Sequence, residues 1–137
     1  MERSVGSAID NILGKKFKYG GRGPDEFDCL GSCIYLIREC FGIEMPDPFD
    51  SSLGGTILER LEKFRGFLVK IEGLDDIRTG DIIHYLNSNK ISEQHTGFAE
   101  NHRWCVLANR KAGICRIQIS RIKGFETVQL YRLKELC

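Results

Sequence analysis

Phe17-Lys18-Tyr19-Gly20-Gly21-Arg22-Gly23-Pro24-Asp25-Glu26-Phe27-Asp28-Cys29-Leu30-Gly31 is the stretch that decides the reading of this chain. Gly20, Gly21, Gly23 and Pro24 make its middle a loop, and glycines there let backbone approach closely and take positive φ. Beyond it, Leu30, Cys33, Ile34, Ile37 and Phe41 recur at three- and four-residue spacing. That spacing predicts a helix from about Asp28 with one apolar stripe. Gly42 is placed to end it in a left-handed cap, and Pro46 and Pro48 forbid an early restart. Cys29 therefore stands where a Gly-rich loop runs into a helix. The first helical N–H groups have no intrahelical partner, and the macrodipole adds partial positive charge. Both effects stabilise a thiolate and lower a cysteine pKa. The same N–H groups can receive the oxyanion of a tetrahedral intermediate.

Upstream, Val5, Ala8, Ile9 and Ile12 fall at helical spacing and predict a short helix over 4–13, capped by Ser4 or Ser7. Downstream, a weaker third helix is expected over about 52–64. The period then changes. Segments 67–71, 81–86, 96–100, 103–108, 114–120 and 127–133 read as short strands, with Thr79-Gly80 and Glu100-Asn101-His102 supplying turns. Helices first and strands after predict an α+β domain, its N-terminal helices packed on a mostly antiparallel five- or six-stranded sheet. No linker or repeat divides the chain, so residues 1–137 are read as one domain.

The 137 residues suffice for one domain, one that buries roughly two-thirds of its unfolded surface. Apolar residues at 42% and charged residues at 28% are ordinary globular usage, not a disordered profile. A net charge of +1 gives no bulk electrostatic grip on nucleic acid. No stretch approaches the roughly 20 apolar residues of a membrane span. Met1 to Gly14 does not read as a secretory signal, so the chain as it stands is expected in the cytoplasm. Cysteines 29, 33, 40, 105, 115 and 137 lack the paired spacing of a disulfide scaffold and are expected to be mostly free thiols. Cys33 and Cys40 fit a role as small buried hydrophobes. The spacing Cys-x3-Cys with no second pair is poor for zinc, and no metal or cofactor is expected.

A nucleophilic Cys29 needs a base. His95 opens His-Thr-Gly-Phe-Ala-Glu at the start of a strand, an ordered element able to hold an imidazole. His84, inside Ile-Ile-His-Tyr-Leu, is expected on one sheet face, and His102 in a turn is expected to be exposed.

The opening stretch resembles the nucleophile segment of NlpC/P60 peptidases, which reads aromatic-x-aromatic-Gly-Gly, a short loop, then Phe-Asp-Cys-Ser-Gly. Arg78-Thr79-Gly80-Asp81-Ile82 is similar to that family's Pro-Gly-Asp-Leu step into the sheet, and His95-Thr96-Gly97-Phe98 to its His-Val-Gly-Ile strand. The three matches occur in family order. The resemblance is nearest to phage-tail-associated members. It implies a papain-like fold and hydrolysis of an amide, typically in peptidoglycan stem peptides, with Cys29 attacking and His95 moving the proton. Asp28 then matches a residue that helps bind the substrate amine, with helix N-capping as the equal alternative. Tyr19, Phe17 and Leu30 fall at substrate-contacting positions. Phe17 stands where many members have Tyr, and Leu30 where many have Ser. The family's third catalytic residue, a His, Asn or Gln, aligns with Leu107, which cannot accept a hydrogen bond. Asn109, two positions further on the same strand face, is the nominated replacement.

Two other readings accompany the hydrolase. One is a non-catalytic interaction module, such as a structural piece of a phage tail, motivated by Phe17, Leu30 and the missing polar residue. The other is a thiol acyltransferase or amidase acting on a small acyl substrate, motivated by the same apolar replacements. Permuted acyltransferase relatives place His before Cys, the reverse of the order here. The expected partner is a peptide or peptidoglycan fragment. A phage-tail association or export with a signal since removed would reconcile a cell-wall substrate with this chain.

Overall fold

The computed structural model describes residues 4–86, 94–121 and 127–137. Helix α1 (Val5–Ile12) starts where the Ser4 hydroxyl accepts the Ser7 N–H, and it buries Ala8, Ile9 and Ile12. Helix α2 (Cys29–Phe41) is capped by Asp28 and ends at Gly42, whose φ of 67° is the left-handed cap the sequence predicts. The expected third helix is split. Gly54 and Gly55 take positive φ, leaving a short 3-10 turn at Ser51–Leu53 before α3 (Ile57–Arg65). Thr56 and Glu59 form a reciprocal capping box there. None of the α3 side chains is fully buried, which explains its weak apolar signal.

Two two-residue strands, β1 (Lys16–Phe17) and β2 (Glu26–Phe27), pair in parallel and close the Gly-rich loop. The main sheet has six strands: β3 (Leu68–Ile71), β4 (Ile82–Leu86), β5 (Gln94–Ala99), β6 (Trp104–Asn109), β7 (Gly113–Gln118) and β8 (Thr127–Leu133). Their order is β3-β8-β4-β5-β6-β7, and every pairing is antiparallel. The α+β expectation and its upper strand count are therefore met. The strand expected over 114–120 differs slightly in its limits. It instead begins at Gly113 and gives way to a 3-10 turn at Ile119–Arg121.

Strand alternation sorts the core into two faces. Ile82, Phe98, Val106 and Ala108 pack under α1 and α2, while Ile83, Tyr85, Ala99, Cys105 and Leu107 fill the other side. The edge strand β7 is partly covered, because Gly14 N–H donates to Ile114 O and Ile114 N–H to Lys15 O. That contact carries the chain from α1 to the loop ahead of Cys29. No helix among the described residues is long and apolar enough to cross a membrane.

Asp81, at the step into β4, is fully buried, and its carboxylate accepts two hydrogen bonds from Arg132 of β8, both at 2.9 Å, and one from Arg78 N–H at 2.8 Å. Breaking a buried pair from one side strands the other charge. Asp81→Ala is expected to cost about 3–5 kcal/mol in urea unfolding, and Arg132→Met with Asp81→Leu together to cost markedly less.

Candidate active site

The first turn of α2 is built around one carboxylate. Asp28 Oδ1 accepts the Gly31 N–H at 2.7 Å and Arg22 Nη1 at 2.8 Å, while Oδ2 accepts the Gly20 N–H at 2.9 Å. Arg22 also grips Asp47 through both carboxylate oxygens. Burial works against the Arg22 charge, but hydrogen bonds to Asp47 and Asp28 outweigh it and raise its pKa. Burial likewise opposes the Asp47 anion, yet Arg22 and the Phe49 N–H hold it below the usual carboxylate range. Gly31 is required by close approach: a Cβ there would lie 1.9 Å from Gly21 O. The Gly-rich loop and the helix start are thus one packed unit.

Cys29 projects from this unit against the sheet. Strands β5 and β6 are paired at Phe98↔Val106 and Ala99↔Cys105. Continuing that register would set Thr96 opposite Ala108, and the Cys29 sulfur reaches the backbone of both. Its S–H donates to Ala108 O at 3.3 Å, and backbone hydrogen bonding at Thr96 also reaches it.

An open cavity of about 270 Å³ surrounds the sulfur, lined by Phe17, Tyr19, Asp28, Cys29, Leu30, His84, His95, Thr96, Ala108 and Arg110. Six of the site residues named from sequence therefore share one cavity: Cys29, His95, Asp28, Tyr19, Phe17 and Leu30. Asn109 does not line it. Its Oδ1 accepts the N–H groups of Lys111 at 2.8 Å and Ala112 at 3.0 Å, closing the turn between β6 and β7. Leu107, the aligned position, is buried in the lower core. The ring that meets His95 is that of Tyr85, directly across the β4–β5 ladder, stacked with centroids 5.2 Å apart and planes 27° apart. Tyr85 is only 2% exposed.

Sequence reasoning missed three contributors. His84 does sit on a sheet face, but on the face that opens to Cys29, with Nδ1 3.2 Å from Thr96 Oγ1. Its alternation with Ile82 was the available signal. Burial, and then the charge of His95, lower the His84 pKa. Arg110 lies over the Tyr19 ring at 5.2 Å, and Tyr19 meets Phe17 edge-on at 4.9 Å. Ala108 acts through its carbonyl, which no side-chain pattern announces. His102 is exposed, as expected, and lies away from this cavity.

The electrostatics depart from the sequence expectation. The Cys29 pKa is raised, not lowered: burial dominates, and the hydrogen bonds at Thr96 and Ala108 offset it only in part. Asp28 adds to the rise and Arg110 opposes it. All six cysteines are free, and burial pushes Cys40 up to about 11 and Cys105 up to about 12. Among the described residues no group of His, Cys, Asp and Glu could hold a metal ion.

The NlpC/P60 family model matches residues 14–124, which hold the loop, the helix start and the histidine strand. The chain belongs to the NlpC/P60 family. Solved structures share its fold, among them the following. One is the P60 domain of antigen MAP1204 from M. avium subspecies paratuberculosis, 20% identical with a TM-score of 0.63, over 94% of this chain and 91% of that one. Another is the NlpC/p60 domain of the peptidoglycan hydrolase SagA, 16% identical with a TM-score of 0.61, over 93% and 95%. The third, NlpC1 from Trichomonas vaginalis, is 21% identical with a TM-score of 0.64. There the match covers 94% of this chain but only 42% of that protein. No curated protein matches the chain. The fold is thus the papain-like α+β architecture of this family, and membership supports a cysteine-hydrolase function in general terms.

Because burial holds Cys29 as the thiol, its alkylation by iodoacetamide is expected to climb about tenfold per pH unit between roughly pH 7 and 8.5. A rate already level across that range, followed by mass spectrometry at Cys29, would mean a preformed thiolate.

Proposed function

We propose that the chain is a cysteine endopeptidase or amidase that cleaves an amide bond of a peptide, of the kind found in peptidoglycan stem peptides. The observation that carries this reading is the shared cavity of Cys29 and His95 at the start of α2. Family membership adds the chemistry, and the SagA domain, described as part of a peptidoglycan hydrolase, adds the substrate class.

In the proposed cycle His95 takes the Cys29 proton as the sulfur attacks the carbonyl, since the resting group is a thiol. The tetrahedral oxyanion faces the open end of α2. Asp28 uses the Gly31 N–H through its side chain and the Ser32 N–H through its carbonyl, so the N–H groups of Cys29 and Leu30 are the donors left for it. Collapse breaks the C–N bond, His95 gives its proton to the leaving nitrogen, and a thioester remains on Cys29. Water, deprotonated by His95, then attacks the thioester and releases a carboxylate and the thiol.

Asp28 is cast as a positioning residue, because its oxygens already hold the loop, the helix and Arg22. Phe17, Tyr19 and Leu30 form the walls that meet the substrate. Tyr85 is cast as the group that orients the His95 ring, by stacking, in the place where a polar residue on β6 is usual. Asn109 contributes by holding the turn that carries Arg110.

Cys29→Ala and His95→Ala should each lower kcat on a stem-peptide substrate by about 10³-fold or more with folding preserved. Full hydrolysis by either variant would end the reading. Tyr85→Phe should retain most activity. Tyr85→Leu should lower kcat by about 10²-fold with little change in KM and shift the pH profile. If Tyr85→Leu leaves the pH profile intact while Asn109→Ala moves it, the orienting role returns to Asn109.

A further inference from the structure

His84 lines the catalytic cavity, yet the hydrolytic cycle leaves it unused. Alternation with Ile82 puts it on the sheet face that carries α2, and Thr96 lies directly across the β4–β5 ladder on the same face. Its Nδ1 is 3.2 Å from Thr96 Oγ1. Leu30, His84 and Thr96 also line the neighbouring cavity beneath α3, so these three residues meet at one border of the catalytic space. Leu30 supplies one of the two backbone N–H groups left at the start of α2. We infer that His84 is a further catalytic residue, whose Nε2–H donates to the oxyanion of the tetrahedral intermediate beside the N–H groups of Cys29 and Leu30. The inference rests on the hydrolase reading and adds a side-chain donor to it.

Hydrogen bonding assigns the tautomer. A neutral imidazole has one N–H and one acceptor nitrogen. The Thr96 hydroxyl can donate to Nδ1, which places the ring hydrogen on Nε2, the nitrogen left for the cavity. Burial first, and then the charge of His95, favour the neutral ring. A neutral donor suits this place. His95 becomes an imidazolium as the sulfur attacks, and a second cation beside it would oppose that change.

Strand geometry divides the work between the two rings. His95 and Tyr85 take the face of the β4–β5 ladder opposite to His84 and Thr96. One ring therefore moves the proton while the other holds the oxygen. The remaining side chains of the cavity suit the task less well. Asp28 only accepts, from Gly20, Gly31 and Arg22. Arg110 and Tyr19 stack on each other. The side chains of Phe17 and Leu30 hold no donor.

The test compares turnover with the affinity of a transition-state mimic. His84→Phe should lower kcat on a stem-peptide substrate by about 10²-fold with KM nearly unchanged, the usual effect of losing one oxyanion donor. His84→Gln, whose amide also donates, should stand between the two. A stem-peptide aldehyde bonds its carbonyl carbon to the Cys29 sulfur, the thiol proton leaves to His95, and the former carbonyl oxygen takes the oxyanion's place. His84→Phe should weaken that aldehyde about as much as it lowers kcat/KM, and leave unchanged the affinity of the matching peptide alcohol, which forms no such bond. Nitrogen-15 NMR of the resting wild-type protein should show His84 as the Nε2–H tautomer. The Nδ1–H tautomer, or a loss confined to KM, would overturn the inference. If His84→Phe does not fold, Thr96→Val carries the test: it should lower kcat and aldehyde affinity together, while Thr96→Ser should keep both. Hydrolysis and aldehyde affinity both unchanged in folded His84→Phe would sink the donor and keep the hydrolase. An aldehyde adduct weakened by His84→Phe, without wild-type hydrolysis of any stem peptide, would sink the hydrolase and keep the donor. Neither hydrolysis nor adduct would sink both.

Discussion

The start of α2 has to touch two things at once, the Gly-rich loop on one side and strands β5 and β6 on the other. Asp28 makes the first contact possible by capping the helix, binding the Gly20 N–H and holding Arg22 in a single carboxylate. Gly31 makes it sterically possible, since its missing Cβ is the space that Gly21 O occupies. With the loop locked to the helix, Cys29 is the side chain that must enter the sheet. It meets the sheet at the backbone of Thr96 and Ala108. The rest of the site follows from that insertion, because His95, His84 and Arg110 lie on or beside the same two strands and their neighbour β4.

That insertion also sets the electrostatic character of the sulfur. A cysteine at an exposed helix N-terminus is governed by the orphan N–H groups and the dipole, both of which favour the anion. Here the same cysteine is packed against the backbone of β5 and β6, and desolvation outweighs the hydrogen bonds it gains. The resting group is a thiol donating to Ala108 O. Such a nucleophile depends on a base held in a fixed orientation, which gives weight to the Tyr85 ring stacked on His95. A hydrogen-bond acceptor on β6 would fix both the tautomer and the plane of the imidazole. The stacked ring holds the plane of the imidazole.

Much of the fold was readable along the chain. The α2 limits followed from Asp28, the apolar stripe and Gly42, and the capping role of Asp28 was visible as one of two options. Strand positions in the second half were right to within a few residues, and only the order β3-β8-β4-β5-β6-β7 needed coordinates. The third helix was blurred because α3 buries no side chain fully, so its periodicity was faint. At the site, the motif-borne residues Cys29, His95, Asp28, Tyr19, Phe17 and Leu30 came together in one cavity. Asn109 was misjudged in its surroundings: strand alternation put it on a suitable face, but β6 ends there and the side chain turns to close the next bend.

Caps, stripes, turn glycines and the Asp-Cys junction are properties of neighbours in sequence. Their hydrogen bonds and sterics act over a few residues, so the sequence alone determined the elements and singled out Cys29 and His95 as the candidates for nucleophile and base. Desolvation of Cys29, the stacking of Tyr85 on His95 and the pairing of His84 with Thr96 are sums over elements far apart in the chain. Only the tertiary structure could decide them, because burial and charge are set by what packs around a group and not by what precedes it.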